Sequence, residues 1–345
     1  MATAATPVKI FRYEEFWPIS TNLDPFSDLV TWLEYYSASD YVISLLTTRH
    51  GLSAIEARRR ARLITPHARL ARDYIDQSMS GPGDVGFLPS YYAILNLLKI
   101  CILFGPHHAS LPANRWHGAS YDTYGKDSQS LLTDRITLKG RGALPLFYQT
   151  ITGTTSPTDF SLPLSEVYPY ILDVSTEYEL ASGAPSKFAH LNFQVVKNGT
   201  NQHLRVIVQL MDGTSSPLPK ANQLKVLVGF TKEAGVAPAF ISKPIAGTLP
   251  AQLRAHLRPF LIYQLLDGSA FTRISGAHFL MPEEFPIALA FFHMSSVVRY
   301  RPEFLAKLKD SRYWPVLSIL RRHALFKFLI TFWEFTHRKT LILQG

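Results

Sequence analysis

The sequence predicts an α+β protein: a mainly helical body with a small antiparallel β-sheet in its central third. Three observations carry this. Long stretches towards both ends repeat their apolar residues three and four apart, the period of a helix packed on one side. The middle instead alternates apolar and polar residues on either side of Asn198-Gly199, a dipeptide suited to a tight hairpin turn. And 345 residues, 47% hydrophobic and only 18% charged, can bury a large core, so the chain is not a disordered polyelectrolyte. Three regions are expected: a helical N-terminal region over 1–160, a small β-rich region over 161–249, and a helical C-terminal region over 250–345. The last would pack on the first to make one compact domain.

Over 26–37, Leu29, Val30, Trp32, Leu33 and Tyr36 fall at helical spacing, and 40–47 continues as a shorter helix. Ser53-Ala-Ile-Glu56 is a capping box that opens a helix running towards Met79, which Pro66 is expected to break or kink. A Gly/Pro loop over 80–84 precedes a strongly apolar helix over 89–104, ended by Gly105-Pro106. Between 106 and 160 no period persists, and a short amphipathic helix is expected near 163–180. Strands are expected over 190–196, 203–210, 223–230 and 238–244. Helices return over 250–266, 282–298 and 302–309, with one long helix from about Trp314 to Lys339.

The one cysteine, Cys101, lies in an apolar run and reads as a buried small hydrophobe, which fits a reducing, cytoplasmic compartment. The N-terminal residues lack the pattern of a signal peptide. The longest apolar stretches, 92–105, 285–298 and 325–335, fall short of the ~20 residues of a membrane span, so core helices are expected and no span. Asn198-Gly199-Thr200 fits a glycosylation sequon but reads as a turn.

The formal net charge of +9 is unevenly placed. Ten Lys and Arg face three acids between Arg299 and Gly345, and seven arginines face Glu56 alone between Arg49 and Arg72. Positive charge gathered in two places points to a polyanion or an acidic partner. On a continuous helix Arg58, Arg62, Arg69 and Arg72 form one basic stripe, with Leu63, His67, Leu70 and Tyr74 on the opposite, apolar side. Arg115-Trp116-His117-Gly118 combines a cation, an aromatic, an imidazole and a glycine that permits close backbone approach to a phosphate or base. Arg299-Tyr300-Arg301 ends a helix and suits either its dipole or stacking on a strand. Arg321 and Arg322 project into the apolar arc of the terminal helix, where they require a carboxylate or a bound anion. The acids Glu14, Glu15, Asp24, Asp28 and Glu34 are the expected internal partners.

Taken in order, "FSDLVTWLEYYSASDYV", "LPSYYAILNLLKICILFG" followed by "RWHGASYD", then "LPLSEVYPYIL" and "IALAFFHMSSVVRYRPEFL", resemble the YaaC-like family of bacterial proteins over nearly the whole chain. The resemblance implies a cytoplasmic bacterial protein whose recurrent polar positions here are His117, Gly118, Arg299 and Tyr300. It implies no reaction.

Arg62-x4-His67 has the spacing of the pair in HEPN ribonucleases, where a cation steadies the phosphate and an imidazole moves the proton. Five helical steps, however, set the two about 140° apart. His67, His117 and Arg62 are therefore the weak catalytic candidates. His107, His108 and His117, with His67 or Asp122, match no familiar zinc spacing, so no metal is expected. No phosphate-binding loop, dinucleotide fingerprint, nucleophile elbow or zinc-protease motif occurs, and no cofactor is expected. Glu283-Glu284 and Asp173…Glu177 read as ordinary helix carboxylates.

The reading is a binding protein rather than an enzyme. Its basic helical surfaces would contact nucleic acid or an acidic partner, as in a subunit of an antiviral defence assembly. The anion-binding residues would be Arg58, Arg62, Arg69, Arg72, Arg115, Trp116, His117, Arg299, Tyr300, Arg301, Arg321 and Arg322. The alternatives are a HEPN-like, metal-independent ribonuclease and a structural subunit of a homo- or hetero-oligomer docking through its apolar C-terminal helix.

Overall fold

In the computed structural model the described residues are 5–20, 24–81, 83–121, 130–211, 223–227, 229–233, 239–245, 250–274 and 280–344. Their strands are β1 (Ala5–Val8), β2 (Glu15–Ser20), β3 (Ala119–Tyr121), β4 (Arg135–Leu138), β5 (Phe160–Pro163) and β6 (Phe188–Asn198). After these come β7 (Asn201–Leu210), β8 (Thr231–Lys232), β9 (Ala239–Ile245), β10 (Tyr263–Gln264), β11 (Ala270–Arg273) and β12 (Lys339–Gln344). The helices are α1 (Pro25–Trp32), α2 (Ser39–His50), α3 (Ala54–Ser80), α4 (Phe87–Phe104), α5 (Ala143–Thr152) and α6 (Leu172–Ser182). The later ones are α7 (Pro250–Arg254), α8 (Glu284–Tyr300), α9 (Pro302–Lys309), α10 (Trp314–Ile319) and α11 (Leu325–His337).

The chain is α+β, and it divides into two units that interleave along the sequence. The β-rich unit takes Met1–Ile19, Ala184–Glu283 and Lys339–Gly345; the helical unit takes Ser20–Gly183 and Glu284–Arg338. The boundaries expected at 160 and 249 thus fall at 183 and 283, because α6 and the strands before it belong with the helices.

The β-rich unit is built on the hairpin the alternation predicts. Gly199, at φ 62°, turns β6 into β7, and Asn198 pairs Asn201. Ala189, Leu191, Phe193 and Val195 of β6 and Leu204, Val206 and Val208 of β7 bury one face. Five more strands extend this pair into an antiparallel sheet of order β10-β11-β6-β7-β9-β8, with β1 also on β6. The sheet is therefore larger than expected. Strands β1, β10 and β11 are two to four residues long, too short for alternation to reveal them. Of the segment 223–230, expected as a strand, Leu227 makes one isolated bridge to Leu257. The helix expected over 250–266 stops at Arg254: Pro259 cannot continue it, and Arg258 instead donates its backbone N–H to the Val226 carbonyl at 3.1 Å.

In the helical unit α4 packs against α3, α5, α8 and α11. By length and composition α4 could cross a membrane, yet 78% of it is buried inside the unit. Ser53 caps α3 as predicted, accepting the Glu56 N–H at 3.3 Å. Against expectation α3 continues through Pro66 without interruption. It buries Ala57, Ala61, Ile64, Ala68, Ala71 and Ile75, and the four alanines let α4 approach closely. This shifts the buried face. Leu63 and Leu70, assigned by pattern to the apolar side, are 50% and 44% exposed.

Helix α5 was not anticipated in the stretch read as loop. Its apolar block is short and flanked by Gly140, Gly142 and Gly153, and tertiary contacts supply its N-terminal partners. The long terminal helix is also corrected. A π-turn over Leu320–Ala324 separates α10 from α11, and β12 follows directly.

Candidate functional site

Helix α8 runs almost wholly buried from Glu284 to Val297, then surfaces in its last turn, so that Arg299 is half-buried and Tyr300 exposed. Pro302 stops the helix one residue later. Facing this end is the 115–118 loop. The Trp116 and His117 carbonyls accept the Ala143 and Leu144 N–H groups of the first turn of α5, at 2.7 and 3.0 Å, and the Gly118 carbonyl accepts from Lys139 at 3.0 Å. Gly118, at φ +84°, lies directly against Gly142, where a Cβ would collide with the Gly118 Cα. The glycine expected to admit a ligand's phosphate thus admits another piece of backbone.

The loop and the helix end enclose a cavity of about 400 Å³ lined by His117, Ala119, Tyr121, Phe292, Ser296, Arg299 and Tyr300. The Arg299 guanidinium rests over the Tyr300 ring at 5.0 Å, and its Nε donates to the Ser295 carbonyl at 3.1 Å. No carboxylate among the described residues pairs with it. The His117 Nδ1 meets the buried Tyr91 hydroxyl at 2.5 Å. Burial, then the charges of Arg299 and Lys99, push the His117 pKa down, so the ring is neutral at pH 7.

Behind the Tyr121 wall lies a buried polar network. Tyr121 donates to Asp134 Oδ2 at 2.7 Å, and His293 Nε2 lies 3.0 Å from the same oxygen. Arg301 Nη1 reaches the Tyr121 hydroxyl at 2.8 Å and Asp134 Oδ1 at 3.3 Å. The Tyr168 hydroxyl meets the other nitrogen of His293 at 3.2 Å. Asp134 and His293 are both fully buried. Burial opposes ionisation of Asp134, but hydrogen bonds from His293 and Tyr121 and the Arg301 charge hold its carboxyl below the usual range. Burial holds His293 neutral. The network is self-satisfied, and it anchors Tyr121 and the corner between α8 and α9.

The YaaC-like family profile matches residues 34–335. The chain belongs to the YaaC-like family. No curated protein and no solved structure matches this YaaC-like chain.

Of the residues singled out by sequence, the fold brings His117, Arg299 and Tyr300 to one cavity, with Arg301 in the network behind it. Arg115 and Trp116 are exposed in the adjoining loop. On α3, Arg58 and Arg62 are exposed without a carboxylate partner among the described residues. Arg69 donates to the Ser37 carbonyl at 3.2 Å, and Arg72 pairs with Glu34. That side of α3 meets residues 34–37, whereas His67 meets α4, donating from Nδ1 to Asn96 Oδ1 at 2.7 Å. Arg62 and His67 are therefore not brought together. Arg321 does not sit in an apolar arc. The π-turn rotates it onto the last turn of α3, where it donates to the Ser78 carbonyl at 2.8 Å rather than to the expected acids; Arg322 is exposed, and its charge acts on Asp24, one of those acids. The apolar residues of α11, including Phe328, Phe332 and Trp333, are buried within the helical unit, so that face is occupied by the chain itself.

Among the described residues no three His, Cys, Asp or Glu side chains are grouped to hold a metal ion. His108 is bonded to Glu56 at 2.9 Å, and Asp122 lies outside the described residues. A larger concavity of about 730 Å³ lies on the sheet, floored by His190, Asn192, Gln194 and Gln209. Its Lys9 and Asp267 oppose one another in charge, and it gathers none of the predicted anion-binding residues.

Sequence reasoning missed Tyr91, Tyr121, Asp134, His293 and Ser296. The one available signal was His293, an ionisable residue inside an apolar helix that must find a buried partner.

Proposed function

We propose that this YaaC-like protein binds single-stranded nucleic acid along the face formed by α4, the 115–118 loop and the end of α8. The observation that carries the reading is the shared cavity of Arg299, Tyr300 and His117, a guanidinium and two rings on one concave surface. From it an aromatic series continues outward. The fully buried Tyr91 backs His117 at 5.3 Å and Tyr92 at 5.8 Å, and the half-buried Tyr92 stacks on Tyr74 of α3 at 5.3 Å, so the rings open to a base are His117, Tyr300, Tyr92 and Tyr74. Trp116, 52% exposed, stands beside the cavity in the same loop. Lys99 and Arg115 add positive charge along this face. Successive rings with interspersed cations are what a flexible strand of bases and phosphates requires, and such stacking tolerates any sequence.

Three phosphate contacts, from Arg299, Arg115 and Lys99, correspond to a log–log salt slope of about −2, or a roughly 20-fold loss of affinity between about 50 and 200 mM salt. Fluorescence anisotropy with a labelled single-stranded 12-mer at the two salt concentrations tests this. Arg299→Ala should weaken binding about tenfold. Binding that is undetectable, or indifferent to salt, would overturn the reading.

A further inference from the structure

We infer that the cavity between His117 and Arg299 is a subsite for a terminal phosphomonoester, the phosphorylated end of a strand rather than an internal diester. The inference rests on the nucleic-acid reading above and names what this part of the face takes.

The donors of the cavity are specified by their surroundings. Tyr91 is buried, and His117 Nδ1 is its hydroxyl's hydrogen-bond partner among the described residues. Were the phenol to accept from Nδ1–H, its own proton would be left buried without an acceptor, which is costly. Burial also raises the Tyr91 pKa, so the phenol keeps its proton. Tyr91 therefore donates to Nδ1, and the neutral ring carries its hydrogen on Nε2. His117 offers the cavity an N–H donor in a tautomer chosen from behind. Arg299 offers the rest: its Nε is engaged by Ser295, which leaves its terminal nitrogens as the charged donors of the pocket. Arg301 contributes little net charge, because Asp134 already neutralises it.

Size and charge then favour an end over a middle. A cavity of about 400 Å³ lies at the low end of small-molecule pockets, about 300–1,000 Å³, and so takes one nucleotide. An internal diester carries one charge and a sugar on each side. A terminal monoester carries about −1.5 to −2, has three free acceptor oxygens and brings only one sugar. A guanidinium and a fixed N–H in one small concavity match the second group. Tyr300, under the Arg299 guanidinium, supplies the ring wall beside it.

The test compares one hexanucleotide in three forms: 5′-phosphorylated, 3′-phosphorylated and unphosphorylated, by isothermal titration at fixed salt, with a nucleoside monophosphate as a fourth arm. One phosphorylated form should bind at least tenfold tighter than the unphosphorylated strand, and which one does so fixes the polarity. Arg299→Ala should abolish that preference, and His117→Phe should reduce it several-fold while circular dichroism stays unchanged and the melting temperature falls by only a few degrees, because Tyr91 loses its buried acceptor. Three strands binding with equal, measurable affinity would overturn the end-recognition inference and leave the nucleic-acid reading intact. Failure of all three strands would overturn that reading as well, and nucleoside monophosphate binding alone would reassign the pocket to a small nucleotide.

Discussion

Asp134 shows most plainly how one side chain organises many. It is fully buried, yet it satisfies Tyr121, His293 and Arg301 at once, from β3, α8 and the turn into α9. Asp134→Ala should destabilise the protein by about 3–5 kcal/mol, because a guanidinium and an imidazole lose their acceptor in a dry setting. Tyr121→Phe, which leaves the ion pair in place, should cost only about 1 kcal/mol. Urea unfolding of both variants checks the ordering, and similar values would contradict the network. None of these partnerships was legible in the sequence: Asp134 meets residues 13 and 159 positions away. His117, Arg299 and Tyr300 were singled out in the sequence by the family resemblance and by runs that join cations to rings, Arg115-Trp116-His117-Gly118 and Arg299-Tyr300-Arg301. Gly142 is a second kind of residue that only its neighbours explain. At φ +128° and pressed on Gly118, it accepts no side chain, and Gly142→Ala should cost several kcal/mol, about 2–4, in the same assay.

At the scale of elements, periodicity located α1 to α4, α8, α9 and the β6–β7 hairpin, since each is long enough to repeat its pattern. It failed where an element is short or decided from outside. Helix α5 begins where two loop carbonyls await its first N–H groups, and α7 ends early because Pro259 and the Val226 carbonyl redirect the chain. Helix α3 is the instructive case. Pro66 was expected to break or kink it, but its buried alanines and isoleucines keep one continuous helix across it with one missing hydrogen bond. Replacing that residue restores the bond to the Arg62 carbonyl. Pro66→Ala should therefore stabilise the protein by about 1–3 kcal/mol, seen as a higher urea midpoint. A lower midpoint would mean that the proline is required for the path of the helix. The π-turn in the terminal segment acts likewise: one extra residue rotates Arg321 out of the apolar arc and onto the end of α3.

Over the whole molecule, the histidines set the response to acid. His50 is half-buried against the Thr336 carbonyl, and burial lowers its pKa to about 4. His67, His117 and His293 are shifted in the same direction, each first by burial. Below about pH 6.5 the unfolded chain takes up these protons while the folded chain refuses them, so stability falls as pH drops from 6.5 towards 4. His50 alone corresponds to about 3 kcal/mol over that interval. Urea unfolding at pH 7.5 and 5.0 should show the loss, and His50→Gln should reduce its pH slope; equal midpoints for the wild type would refute the assignment. By itself the sequence determined the fold class, the longer helices and the hairpin, because local spacing and turn chemistry act within a few residues. Only the tertiary structure decided that residues 184–283 separate two halves of one helical unit, that α3 turns its alanines inward, and which arginines meet a carboxylate. Those outcomes depend on close packing and on the pairing of charges between segments far apart in the chain, and no local pattern encodes them.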